Sequence, residues 1–294
     1  MQQILVLLNP AAGTKRAAPH LAEMLDLFCK ADFEPIVRTT QKHGDGVNLA
    51  AEYAGSVARI ICIGGDGTFN EVVSGVLQSG QNTPIGYIPA GSTNDFAASL
   101  GLPHDLMQAA QIAVSGTPRA FDVGRFGDRY FTYVASFGAF TQVSYETDQT
   151  VKNALGHLAY VLSAAASIPS IHSLHARLTT DTGEVLEGEY LFGAIGNSTS
   201  MGGVLTLDQK LVDMQDGLFE LLLVKNPANA MDLGECIRAL LAQDYTSPML
   251  ALRQVRSLTA EIASDWTLDG EFAPGSEQVH IEVLPKAVQL FTQP

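Results

Sequence analysis

Three times in the first hundred residues an apolar run stops at a loop of small residues, and a helix-compatible stretch follows. ILVLL (4–8) leads into NPAAGTKR (9–16), ARIICI (58–63) into GGDGTFNE (64–71), and IGYI (85–88) into PAGSTNDF (89–96). The runs have strand length and no polar alternation, so the sheet they form needs cover on both faces. In such a sheet ligands bind beyond the carboxyl ends of the strands, and helix N-termini there favour phosphate. One loop of this kind is weak evidence, because a tight turn takes glycine for its own sake. Three at the same topological position point to a ligand. Glycine at 64, 65 and 67 signals positive φ or a shortage of room, and the expectation is that another group occupies the space.

The alternation of strands with helical patterns predicts an α/β N-terminal half with a mostly parallel sheet and helices on both faces. Leu21, Met24, Leu25 and Phe28 recur at helical spacing; further helices are expected over Val47–Tyr53, Thr68–Leu77, from Asn94, and over Leu106–Val114. The character changes near Ala120. FDVGRFGDRYFTYV reads as two strands about Gly127-Asp128, and HARLTTD with EVLEGEYLFGAI as a hairpin at Thr182-Gly183. GLFELLLV, QVRSLTAEIA, WTLDGE and VHIEVL read as further strands, interrupted by a helix over about Asn229–Leu241. This half is expected to be antiparallel and β-rich, sandwich-like. The expected division is 1–121 and 122–285, with KAVQLF in 286–294 a last strand that fits either half.

Charge and cysteine usage narrow the setting. A net charge of −14 argues against nonspecific nucleic-acid binding and against charge-driven attachment to an anionic membrane. Cys29, Cys62 and Cys236 are odd in number and form no CxxC pair, so they read as reduced core thiols of a cytoplasmic protein. The start MQQILVLLNP reads as a first strand, not a leader. The stretch 154–168 is broken by Gly156, His157 and Ser163, too short and polar to span a bilayer.

The loops fit neither common phosphate fingerprint: Gly65-x-Gly67-x-x-Asn70 lacks the third glycine of the dinucleotide motif, and no GxxxxGK[ST] occurs. Asp66 beside bare phosphate adds repulsion that a divalent cation would relieve, so magnesium–nucleotide is the expected ligand. GGDGTFNEVVSGV, PAGSTNDFAASLGLP and a late LDGE, with NPAAG, FDVGRFGDRYF, GNSTSMGG, DMQDGLFELLLV and VLPKAVQLF, resemble the diacylglycerol kinase catalytic-domain family, specifically its soluble bacterial lipid kinases.

That resemblance implies two domains, a nucleotide-binding one and a lipid-acceptor one, with the active site between them, and phosphorylation of a lipid hydroxyl by ATP and Mg2+. It implies a nucleotide loop at Asn9, Pro10, Ala11, Ala12 and Gly13, and an adenine-side contact at Thr40. The phosphate cradle would be Gly64, Gly65, Asp66, Gly67, Thr68, Phe69 and Asn70, with a further contact at Thr93. Asp66 and Asp95 would serve a magnesium–water network that Asp122 extends, and Glu271 would be the base. A structural magnesium would be held by the Asp216 side chain and the carbonyls of Asp213 and Leu218. The pattern departs at LTLDQK (205–210), where relatives carry a proline. From the residues alone, Thr40, Thr93 and Asp95 are equally natural turn or N-cap residues, and Asp216-Gly217 and Asp269-Gly270 are natural hairpin turns.

Leu155, Leu158 and Leu162 form a stripe at helical spacing in 153–172 that fits either core or an acyl-chain cleft with transient membrane-surface contact. Lys15, Arg16 and Lys152 offer a small basic patch, while His157 and His172 read as boundary histidines. The leading acceptor is diacylglycerol, giving phosphatidic acid, at the inner face of the membrane, and a homodimer fits enzymes of this kind. The alternatives are an NAD kinase-like enzyme, for which a second Asn-Glu pair is missing, and a catalytically silent lipid- or nucleotide-binding module.

Overall fold

A computed structural model of the 294-residue chain describes residues 1–13, 15, 17–138, 173–201 and 205–293. The 153–172 stripe, both of its histidines, Lys152 and Arg16 lie outside the described residues. The chain divides into two compact units, Met1–Val123 with Pro285–Pro294, and Gly124–Leu284.

In the first unit, β1 (Gln2–Leu8), β2 (Phe33–Thr39), β3 (Arg59–Gly64) and β4 (Ile85–Pro89) are parallel in the order β2-β1-β3-β4. The connections are α1 (Leu21–Lys30), α2 (Asp45–Tyr53) and α3 (Asp66–Gln78); α4 (Asp95–Ser99) and α5 (Leu106–Ser115) follow β4. Strand alternation sorts the core. Ile4, Val6, Leu8, Ile61, Ile63 and Ile88 pack on Met24 and Phe28 of α1 and Leu106, Ala109 and Ala113 of α5. On the other face Phe69 of α3 stacks on Tyr87, ring centroids 4.5 Å apart. Helices therefore cover both faces, which is why the strands carry no polar alternation.

The second unit is antiparallel. Its strands are the end of β5 (Thr117–Phe126), then β6 (Arg129–Phe131), β7 (Val134–Gly138), β8 (Leu174–Thr180), β9 (Val185–Gly196), β10 (Ser200–Met201) and β11 (Leu205–Thr206). After them come β12 (Phe219–Lys225), β13 (Leu250–Val255), β14 (Ser257–Ile262), β15 (Trp266–Leu268), β16 (Glu271–Ala273) and the first part of β17 (Val279–Thr292). The strands run in the order β16-β15-β7-β9-β8-β14-β17, with β12 also on β9 and β13 on β12. A helix, α6 (Ala230–Ala242), separates β12 from β13, and Asn229 caps it by accepting from the N–H groups of Met231 and Asp232.

Three sequence expectations change. QVRSLTAEIA is not one strand: it belongs to β13 and β14, which part at Arg256, where the backbone N–H donates to Asp181 Oδ1 at 3.1 Å. VHIEVL and KAVQLF are instead one strand, β17, whose Leu290 pairs in parallel with Ile85 of β4 in the first unit. It passes Pro285 because the next residue, Lys286, takes φ 53° and gives its N–H to Asp122 Oδ1 at 2.7 Å. Cys29 lies exposed on α1, so only Cys62 and Cys236 are core thiols, and burial pushes the Cys236 thiol up to about 11.

Candidate functional site

The three glycine-marked loops pack directly on one another, and the glycines are what let them. Asn9 opens the first: its Oδ1 accepts from Ala11 N at 3.0 Å, and its Nδ2 donates to Thr68 Oγ1 at 2.8 Å. Gly13 has φ +51°, and a Cβ there would lie 2.5 Å from the Ala90 carbonyl oxygen. A Cβ on Gly91 would lie 2.6 Å from Gly65 Cα, and Ala90 N donates to the Gly64 carbonyl at 2.8 Å. The occupant of the space at Gly13, Gly65 and Gly91 is thus a neighbouring loop. Thr40 is buried, its N–H on the Leu8 carbonyl at 3.0 Å, which sets it at the end of β1 beside the first loop.

The two acids of GGDGTFNE cap two other helices. Asp66, at the start of α3, accepts from Asp95 N through Oδ2 at 2.9 Å and from the Tyr87 hydroxyl through Oδ1 at 3.2 Å. It thereby takes the first N–H of α4, whose own N-cap Asn94 provides no side-chain cap. Glu71 accepts from Gly44 N and Gly46 N, both at 2.8 Å, at the start of α2, and His43 Nδ1 lies 3.0 Å from the same carboxylate. Gly46 is glycine because a Cβ would meet Glu71 Oε2 at 2.6 Å. Carboxylates suit these places, since a helix N-terminus combines free N–H groups with a positive dipole end.

Asn94 sits at φ 56° and exchanges hydrogen bonds with Gly91, its Oδ1 accepting from Gly91 N and its Nδ2 donating to Gly91 O, both at 2.9 Å. Sequence reasoning missed Asn94 and Tyr87. Asn before Asp in a turn was a readable hint for the left-handed conformation, but nothing in IGYI marks Tyr87 as a partner of Asp66. The Phe69 ring is fully buried between Tyr87 and Phe96, and its N–H is on the Gly65 carbonyl. Its place in the loop is therefore to anchor it. Thr93 is exposed, and Asn70 Oδ1 accepts from Ser74 Oγ at 3.4 Å within α3. Asp122 is 2% exposed and holds Lys286 as described.

In the second unit Asp269 and Gly270, at φ 51° and 83°, form the two-residue turn between β15 and β16, and Leu268 pairs with Glu271. Asp269 is a buried clamp. Its Oδ2 accepts from Thr132 N at 2.6 Å and Thr132 Oγ1 at 2.8 Å; its Oδ1 accepts from Tyr133 N and Val134 N, both at 3.0 Å. Burial pushes its pKa up, against the pull of these donors. The clamp leaves Glu271, the next residue but one, half-buried at the head of β16, beside a turn held by four buried hydrogen bonds.

The 213–218 loop is a pair of side-chain-closed turns: Asp213 Oδ1 accepts from Gln215 N at 3.0 Å, Asp216 Oδ1 from Leu218 N at 2.9 Å, and Gly217 has φ 77°. At LTLDQK, Asp208 caps a short 3-10 turn over Gln209–Leu211 by accepting from Lys210 N, which holds the approach without a proline. Among the described residues no group of three His, Cys, Asp or Glu side chains stands ready to hold a metal.

Residues 3–126 match the sequence profile of the diacylglycerol kinase catalytic domain. A diacylglycerol kinase of Staphylococcus saprophyticus subsp. saprophyticus is 33% identical over 95% of this chain and 93% of its own. A diacylglycerol kinase of Bacillus subtilis is 30% identical over 97% of each. In fold, the chain resembles the crystal structure of a diacylglycerol kinase from Bacillus anthracis str. Sterne, with TM-score 0.75 at 22% identity over 100% of this chain and 97% of that one. It is less like an NAD kinase from Archaeoglobus fulgidus in complex with ATP, with TM-score 0.53 at 12% identity over 100% and 94%. Taken with the loops that carry the motifs, these likenesses mean that the chain belongs to the diacylglycerol kinase catalytic-domain family and is a kinase of lipid metabolism.

Proposed function

We propose that this enzyme transfers the γ-phosphoryl group of ATP to the free hydroxyl of diacylglycerol, giving phosphatidic acid at the inner membrane surface. The observation that carries the reading is the mutual packing of the Asn9–Gly13, Gly64–Asn70 and Ala90–Asp95 loops around the start of α3. Phosphoryl transfer is mostly positioning and charge stabilisation, and a cradle braced by its own glycines is preorganised for it. In this reading Asn9–Gly13, Thr40, Gly64–Asn70 and Thr93 bind the nucleotide. Asp66 and Asp95 would hold Mg2+ through water, where it would supply positive charge to the phosphates, with Asp122 holding the adjoining strand.

Glu271 takes the proton of the attacking hydroxyl. The C–O–H oxygen forms its new bond to phosphorus as the bond from phosphorus to the ADP oxygen breaks. The Asp213 and Leu218 carbonyls and the Asp216 side chain fit a hard cation, which takes oxygen ligands of this mixture. No described helix is long and apolar enough to cross a membrane, so lipid would be met at a surface, by transient contact. The test is transfer of labelled phosphate from ATP into a total lipid extract, with NAD as a competing acceptor. Labelled phosphatidic acid is expected. Label in NADP alone would overturn the reading in favour of an NAD kinase, and no label in either would favour a silent binding module.

A further inference from the structure

Glu220 lies on β12, two residues beyond the 213–218 loop, and is 1% exposed. Its neighbours Phe219 and Leu221 point into the second unit's hydrophobic core, so strand alternation sends the Glu220 carboxyl to the other face. Gln254, its partner across the β12–β13 pair, donates from Nε2 to Glu220 Oε1 at 3.2 Å and to the Leu211 carbonyl at 3.3 Å. This amide ties the approach to the 213–218 loop to the carboxyl. The second oxygen, Oε2, is buried without a hydrogen-bond partner, and no Lys or Arg among the described residues makes an ion pair with Glu220.

A buried carboxyl oxygen with no donor is costly, typically by several kcal/mol when charged, and persists only where something satisfies it. Asp216 and Asp213 lie close enough to Glu220 to act on it electrostatically. A structural role alone would be met by glutamine, which pairs with Gln254 without the charge.

We propose that Glu220 belongs to the divalent-cation site of the 213–218 loop, its buried Oε2 accepting a hydrogen bond from a water carried by the cation and so fixing that water and the loop. The inference rests on the reading of Asp216, Asp213 and Leu218 as cation ligands and adds a positioning residue to them. Outer-shell partners of this kind typically change metal affinity by about 10–100-fold.

The experiment is a titration of the full-length protein with Mg2+, and separately Mn2+, after chelation, read by melting temperature and by Mn2+ binding in equilibrium dialysis. Wild type is compared with Glu220→Gln and Asp216→Asn. The expected result is cation-dependent melting in wild type, loss of that dependence in Asp216→Asn, and a midpoint weakened by about 10-fold or more in Glu220→Gln, which without cation melts no lower than wild type. An unchanged midpoint in Glu220→Gln, with Asp216→Asn impaired, overturns the role of Glu220 and leaves the loop site standing. Wild type with no cation dependence at all overturns both. Should Glu220→Gln fold poorly, Gln254→Leu, which removes the tie and leaves the carboxyl, is expected to weaken the same midpoint, and no change there refutes the proposal.

Discussion

Removing Asp269 should destabilise the second unit, whereas removing the charge of its neighbour Glu271 should slow only the chemistry. Asp269 accepts four hydrogen bonds from Thr132, Tyr133 and Val134, all buried and more than 130 residues away in sequence. In Asp269→Ala those donors lose their acceptor together. Each buried donor left unpaired costs about 1–3 kcal/mol, and water entering the space recovers part of it, so a loss of roughly 3–5 kcal/mol is expected. At about 2–4 °C per kcal/mol the melting temperature falls by roughly 6–20 °C. The chain carries a single tryptophan, Trp266, buried against Phe126 and Phe137 and three residues from the clamp. Its fluorescence in a urea titration therefore reports on the right unit. Glu271→Gln, half-buried at the head of β16, should stay within about 0.5 kcal/mol of wild type, while turnover drops by about 10²–10⁴, the usual worth of a general base. A loss under about 1 kcal/mol in Asp269→Ala would refute the clamp argument; wild-type turnover in Glu271→Gln would refute its role as base.

Asp66→Asn should keep its melting temperature, because an amide can still accept from Asp95 N and donate to the Tyr87 hydroxyl; turnover at saturating Mg2+ should nonetheless fall by about 10² or more, and near-normal turnover would remove Asp66 from the reaction. Gly91→Ala places a methyl 2.6 Å from Gly65 Cα and 2.7 Å from Asn94 Oδ1, so it should cost about 1–3 kcal/mol and raise KM for ATP; unchanged values for both would mean that the loops do not depend on each other. Arg238 and then Ser247 hold Glu235, and Thr246 and then Arg238 hold Asp244, down to about 2. Because these folded-state values are depressed, their stabilisation is present above the ordinary carboxylate range and is lost as pH falls from about 4.5 to about 2. Arg238→Ala should flatten the melting profile across that window, and an unaltered slope would sink the assignment.

The parallel core of the first unit was legible because strands buried on both faces must be apolar, as ILVLL, IICI and IGYI are. The Asp269-Gly270 turn was legible too, since a two-residue hairpin requires positive φ at both positions. Local sequence carries such information because propensity and φ preference act within a few residues. It cannot carry partners that are distant in the chain. That Gly65 and Gly91 are glycines for each other, that Asp66 and Glu71 cap α4 and α2, and that Asp269 grips Thr132 were decided by tertiary contact. The same holds for Pro285, which in sequence reads as a strand end and in the structure lies within β17, because Asp122, far upstream, takes the N–H of the residue that follows it. Glu220 is the clearest case: in GLFELLLV it is the polar member of an apolar strand, and only the folded chain buries its second oxygen without a donor and joins the first, through Gln254, to Leu211.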